Sequence, residues 1–406
     1  MITPAYSLTA TERVLPRMAL DFTTGVLDSR VTIARLLNTA TRVNSSGLIE
    51  IVNANLPRFD YDPATLAPRG LLIEEARTNI ALQSGAVNTS PWAFGGTTGG
   101  TITAPDGSAS GRLLSTTGTS SLSQTIVVTT VAHTISIFVK AATASTNIVL
   151  RFAQASGGSA NSVRLNAVTG VVTNSATEPF TSVGVQAYGN GWYRVFGRGT
   201  ATTVDGRFQV FPNGGIGGFA ANASGDAYFW GAQLEIGTFA TSYIPTTTTS
   251  LTRNADIVSM TGTNFSSWYN ASEGTFLHEA EVPAVGTQVV MQADNGTQAN
   301  RITGRYSGTT SSFAVQDLNV SQVSLTSGTA TPNIPYKSVL AYKQDNFCLS
   351  WQGLSPVTDA LGTVPTVDRF RIGSNAVNTE LINGRVRRIF YWPQRLTNAE
   401  AQAFSK

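Results

Sequence analysis

Short runs in which apolar and polar residues alternate recur along most of this chain. In "HTISIFVKA", Ile135, Ile137 and Val139 share one face, with Ser136, Phe138 and Lys140 on the other. "NIVLRFAQ" groups Ile148, Leu150 and Phe152 against Val149 and Arg151, and "SVRLNAVTGVVTN" reads as a hairpin turning at Thr169-Gly170. "NGWYRVFGRGTA", "RFQVFPN" and "DAYFWGAQLEIG" continue the series. This density of strands between Gly-rich turns predicts a two-sheet sandwich over residues 73–256. A second series, "GTFLHEAEV", "TQVVMQA", "SSFAVQDL", "KSVLAYKQ", "NFCLSWQG", "RFRIGS" and "GRVRRIFYW", predicts another over 257–406. One helix is signalled, in "LTNAEAQAFSK", where Thr397 and Glu400 have the spacing of a capping box.

Residues 1–72 are different. They hold short amphipathic pieces between Asn, Ser and Gly turns, with too little apolar material for a core of their own. This section is expected to dock on a neighbouring domain or on another protein. At Trp230–Thr246, "WGAQLEIGTFATSYIPT", the chain leaves a strand at Gly237 and runs on into "TTTTSLTRNAD". That stretch is expected to end the first sandwich and connect it to the second. No period repeats along the chain, so a propeller or solenoid is not expected.

Composition agrees with an all-β class. Charged residues make up 13% of the 406, hydrophobic residues 41%, and much of the remainder is Gly, Ser and Thr. A net charge of +3 with scattered basic residues gives no nucleic-acid surface. No apolar run is long enough to span a bilayer, and the N-terminus lacks the apolar region of a signal peptide. The single Cys348 excludes an intramolecular disulfide and, in a strand-like run, reads as a buried thiol rather than a nucleophile.

Catalytic patterns are sparse. His133 and His278 fall in separate sections, and no P-loop, HExxH or GxSxG motif occurs. Glu279 and Glu281 are two apart on a strand, on one face and about 7 Å apart, a spacing open to carboxylate-pair hydrolysis. The alternative reading, a solvated strand edge, is the preferred one. Glu74 and Glu75 are adjacent and point to opposite faces. Arg385, Arg387, Arg388 and Arg395 are expected to be split between faces as a dispersed surface.

"RFDYDPATLAPRGLLIEEARTN", "GNGWYRV" and "WGAQLEIGTFATSYIPT…LTRNAD" resemble segments of tailed-bacteriophage virion proteins, the fibres and spikes of tails and heads. The middle section resembles their carbohydrate-binding-type jelly roll. "INGRVRRIFYWPQRLTNAEAQAF" is similar to the last strand and helix of laminin-G-like, concanavalin-A-like modules. The fold class is therefore two tandem β-sandwiches, preceded by an N-terminal attachment section at 1–72. The resemblance implies a non-enzymatic structural and adhesive component of a virion, made in the host cytoplasm, binding other virion proteins through its first section. It implies a homo-oligomer, a trimer by analogy, in which the first section buries its apolar faces on symmetry mates. A polysaccharide depolymerase and a capsid decoration protein without ligand are the alternatives. Concanavalin-like glucanases carry Glu-x-Asp-x-Glu, and this chain lacks the middle Asp between Glu279 and Glu281.

Binding of host surface glycan calls for exposed rings. Trp192, Trp230, Trp351 and Trp392 lie in strand patterns and are expected in the core. Trp92 and Phe94 in "NTSPWAFGGTTGG", and Trp268 and Tyr269 in "NFSSWYNASEG", have loop-like surroundings and are the glycan-binding candidates. No cofactor is expected. The jelly-roll resemblance leaves room for a structural calcium, with Asp226 or Glu235 as oxygen donors, though no ligand-rich loop is present.

Overall fold

The computed structural model describes residues 15–118, 120–142, 147–157, 160–214 and 224–406. Among these residues nearly all regular structure is strand, arranged as two β-sandwiches. The alternation decides which side of each strand is buried. Ile135, Ile137 and Val139 enter one core together with Ile148, Leu150 and Phe152. The strand Ala132–Ala141 lies between Trp192–Thr200 and Gly225–Ile236 in one sheet. Facing it, Asp205–Phe211 lies between Asn147–Gln154 and Leu122–Val127. The expected hairpin forms from Asn161–Asn166 and Val171–Asn174, with Gly170 at φ 73° in its turn.

The other sandwich contains all seven predicted strands of the C-terminal section, and Arg301–Ser307 and Val320–Ser327 besides. Its order corrects the three-section reading. Met18–Asp21 pairs with Gly384–Trp392, as does Pro68–Ile73, which in turn pairs with Phe59–Tyr61. Thr32–Ala34 pairs with Ile257–Thr261 in the facing sheet. Met18, Leu20, Phe22 and Ile33 enter the same core as Phe276, Phe370 and Tyr391. The first section therefore buries part of its apolar surface on its own chain, while Val26, Leu36, Leu37 and Ile51 stay exposed. Residues 80–246 form an insert sandwich within a base sandwich made from both ends of the chain. A two-stranded neck, Arg77–Asn79 against Leu251–Arg253, carries the chain out and back.

A second correction concerns the arginines of the last strand. The register slips between Glu279 and Ala280, which face Arg388 and Val386, so Arg387 is the extra residue of a bulge. Alternation is thereby broken. Arg385 and Arg388 share the outer face with Glu279 and Glu281, and all four are ion-paired. The C-terminal helix Asn398–Phe404 has the predicted capping box, with Glu400 N donating to Thr397 Oγ1 and Thr397 N to Glu400 Oε2.

Candidate functional site

The two sandwiches meet on a buried polar joint. Arg58 and Arg253 are fully enclosed and converge on Glu74. Arg58 Nη1 reaches Glu74 Oε2 at 2.7 Å, and its other nitrogen pairs with Asp256. Arg35 Nη1 donates to Asp256 Oδ1 at 2.7 Å. Ser242, from the segment leaving the insert, donates its backbone N–H to Glu74 Oε1 at 2.8 Å and its hydroxyl to Oε2 at 2.7 Å. Burial pushes the Glu74 carboxyl up, but Arg253, Arg58 and the Ser242 donors outweigh it and hold the group well below the usual carboxylate range.

The reason for this arrangement lies in local sequence. Glu74 follows a strand whose last residues, Leu71–Ile73, are core, so its side chain is held almost wholly buried at the edge of the joint. Gly237 has φ 142° and a guanidinium lying where a side chain would begin, since a Cβ there would sit 1.4 Å from Arg77 Nη1. Beside the ions, Val43 and Ile49 pack on Phe138, Tyr188, Trp192, Trp230 and Tyr243 of the insert. This apolar patch joins the hairpin Ala40–Val43/Ile49–Val52 to the outer face of the insert sheet.

Next to the joint an open cleft of about 480 Å³ separates the sandwiches. Asp60 at its floor is held by Arg385, Nε at 2.6 Å, and accepts the Val43 N–H at 2.8 Å. Glu281 is shared by Arg69 at 2.5 Å and Arg385 at 3.2 Å. Arg194 on the insert side is 5% exposed and lies 5.4 Å from the Phe138 ring centroid. Burial, helped by Asp60, raises the Tyr188 hydroxyl to about 12 against the pull of Arg194, Arg385 and Arg69, so this phenol stays neutral.

The predicted site residues are not brought together. Trp92 is 7% exposed, donates Nε1–H to Leu82 O at 2.8 Å and meets Phe208 edge-on in the insert core. Phe94 is half-buried against the same core. Trp268 is 1% exposed among Phe265, Phe370 and Tyr391 in the base core, and Tyr269 is stacked on Phe265 at 4.6 Å. The tryptophans offer no open face for a sugar, which corrects their reading as platforms. The reason is that each satisfies its indole N–H on a nearby carbonyl, leaving the ring free to bury. Trp192, Trp230, Trp351 and Trp392 are core side chains, as their strand patterns indicated.

Glu279 is bound by Arg387 and Arg388 at 2.9 and 2.8 Å, and Glu281 by Arg69 and Arg385, so this pair does not face a substrate as free acids. Asp226 and Glu235 sit near opposite ends of one strand, nine residues and about 30 Å apart, and do not share one ion. Glu235 is instead saturated by Thr241 N at 2.9 Å, Thr241 Oγ1 at 2.7 Å and Gln233 Nε2 at 3.0 Å. His133 and His278 are both buried in separate sandwiches, and Cys348 is enclosed, its thiol pushed up by burial.

Sequence reasoning missed the joint and Arg194. A signal existed: in "GNGWYRV", Arg194 shares its face with Trp192 and Phe196, a cation between rings in a strand. The same holds for Arg58, Glu74 and Asp256, charges beside apolar runs.

No family model matches this chain, and no curated protein matches it. Solved structures similar to it include the Trypanosoma rangeli sialidase in complex with the inhibitor DANA, at 15% identity and a TM-score of 0.27. That likeness covers 36% of this chain and 25% of the sialidase. A receptor binding domain overlaps 37% of this chain and 39% of its own, at 10% identity and a TM-score of 0.30. The LG4-5 domains of the mouse laminin alpha1 chain cover 81% of this chain and 91% of theirs, at 9% identity and a TM-score of 0.25. The chain thus spans a quarter of the sialidase and about two fifths of the receptor binding domain. The likeness is between all-β proteins; at these TM-scores it carries no argument about function.

Proposed function

We propose that this chain is a non-enzymatic structural and adhesive component of a bacteriophage particle, a fibre or spike of tail or head that contacts host surface glycan. The observation that carries the reading is where the virion-like segments lie. "RFDYDP" supplies Arg58 and Asp60, "LLIEEARTN" supplies Glu74 and Arg77, and "WGAQLEIGTFATSYIPT…LTRNAD" supplies Glu235, Ser242, Arg253 and Asp256. Together they form the joint, where each carboxylate is consumed by arginine or backbone donors. Such a joint fixes the direction of a projecting insert and engages its own carboxylates in holding it.

In this reading the base sandwich, which includes most of the section 1–72, attaches to other virion proteins and the insert points outward. The working form is a homotrimer, which holds several weak sugar sites together and gains avidity. Labelled protein imaged on intact particles tests the assignment: decoration of tail or head supports it, and absence from purified particles overturns it. Light scattering on full-length protein tests the trimer. Reducing sugar released from host polysaccharide, and abolished by Glu279→Gln, would replace the adhesive reading with a depolymerase.

A further inference from the structure

The cleft between the sandwiches has a charge imbalance at Arg194. A guanidinium has five N–H donors. Here two are used, Nη1 to Thr241 O at 2.7 Å and Nη2 to Ser136 Oγ at 2.9 Å, and Nε is buried with no acceptor. Among the described residues no carboxylate lies within ion-pair distance of it. The acids that line the same cleft are engaged elsewhere. Asp60 is bound to Arg385, Glu74 to Arg58 and Arg253, and Asp62 caps its own turn through Ala64 N and Thr65 N.

A buried cation without a counter-charge is unfavourable, because burial removes its water and here only two neutral acceptors and the Phe138 ring stand in for it. The neighbouring guanidiniums are each paired, Arg69 and Arg385 with Glu281, Arg385 with Asp60 as well, and Arg42 with Glu50, so the want of a counter-charge is confined to Arg194. The cleft mouth is open at Ala64, Thr65 and Ala187. Its walls also hold the amides of Gln186 and Asn333 and the half-buried rings of Phe196 and Phe239. Amides serve sugar hydroxyls, and rings pack on the apolar face of a pyranose.

We propose that this cleft binds a carboxylated sugar unit of a polysaccharide, its carboxylate on Arg194 and its hydroxyls on Gln186 and Asn333. The proposal rests on the glycan-contact reading above and adds to it the site and the charge of the ligand. Arg194 and Gln186 come from the insert and Asn333 from the base, so the site exists only where the joint holds the two sandwiches together. Charge-assisted pairing in a partly desolvated cleft also gives discrimination that exposed lysines do not.

Calorimetric titration of the full-length protein provides the test, with oligomers of galacturonate, glucuronate and N-acetylneuraminate as probes beside their carboxyl-reduced counterparts. At least one acidic oligomer is expected to bind ten-fold or more tightly than its reduced form. Arg194→Gln should remove that difference, and Arg194→Lys should retain part of it. Because Arg194 is buried, Asn333→Ala on the opposite wall is the second variant, and it should weaken acidic and reduced forms alike. If no acidic oligomer binds better than its reduced form, the proposal is overturned. Should the protein then still adsorb to host cells, the adhesive reading stands and its contact lies elsewhere. Loss of both oligomer binding and adsorption sinks the adhesive reading as well.

Discussion

His278 lies inside the base sandwich with its ring against Gly304, and its Nδ1 has no partner. Burial lowers its pKa from 6.5 to about 3, so it is neutral in the folded protein. The unfolded chain binds a proton below pH 6.5 that the folded chain refuses. Stability from this group is therefore complete above pH 6.5 and lost progressively as pH falls toward 3. From pH 7 to pH 5 the loss is about 2 kcal/mol. Urea denaturation at the two pH values should show this loss in the wild type, and about that much less in His278→Leu. Trp268→Ala should cost about 3–5 kcal/mol, read from the same denaturation curves, because a large ring is removed from a closed core. Trp268 also shows where single residues were illegible. "NFSSWYNASEG" looks like a loop, but Thr263–Ser266 form a helical turn, and the indole N–H closes on Asn264 O at 2.8 Å. That local bond places the ring between sheets whose other residues, Phe370 and Tyr391 among them, lie more than a hundred positions away.

Strands are the scale at which the sequence was most readable. Period-two patterns assigned Ile135, Ile137 and Val139 to the core side correctly, since a buried face leaves only one register open. Patterns failed where a register breaks. The bulge at Arg387 follows no hydrophobic rule, and it alone moves Arg388 to the face of Arg385. Gly237 is a further irregular point. Its φ of 142° is a conformation that side chains rarely adopt, and Arg77 fills the space above it. Gly237→Ala should cost about 1–3 kcal/mol from backbone strain alone. Thermal unfolding monitored by circular dichroism provides the measure. A change below a few tenths of a kcal/mol would mean that Arg77 and the strand end can shift freely.

At the level of the whole molecule, the exposed residues 247–250 are the accessible place to cut the connection. A protease that nicks there should leave both halves together on a sizing column. The first half, up to residue 246, contributes strands to the base sandwich, so separation requires dismantling a core. Fragments that elute apart would contradict the paired strands. The joint adds an acid sensitivity of its own. The Glu74 carboxyl is held below its ordinary 4.5 in the folded chain, so its contribution is full above pH 4.5 and declines as pH falls further. The denaturation midpoint should drop steeply below pH 4.5, beyond the slope due to His278. This interleaving of the ends was not legible in sequence. Asp21 and Arg388 pair across 367 positions, and the short pieces near the N-terminus carry no mark of which distant strand they complete.

The side-by-side placement of Met18–Asp21 and Gly384–Trp392 also sets the path of mechanical load. Met18 lies opposite Tyr391 and Asp21 opposite Arg388, so the outer ends of the two strands emerge from the same end of their ladder. Tension between residues 17 and 393 would peel this pair apart one hydrogen bond at a time, beginning at Arg17 N to Tyr391 O. The insert lies off that line. A drag on its far tip reaches the base instead through the two-stranded neck and the ionic joint, which bear it together. The same chain is thus compliant when stretched by its ends and stiff when levered from its tip.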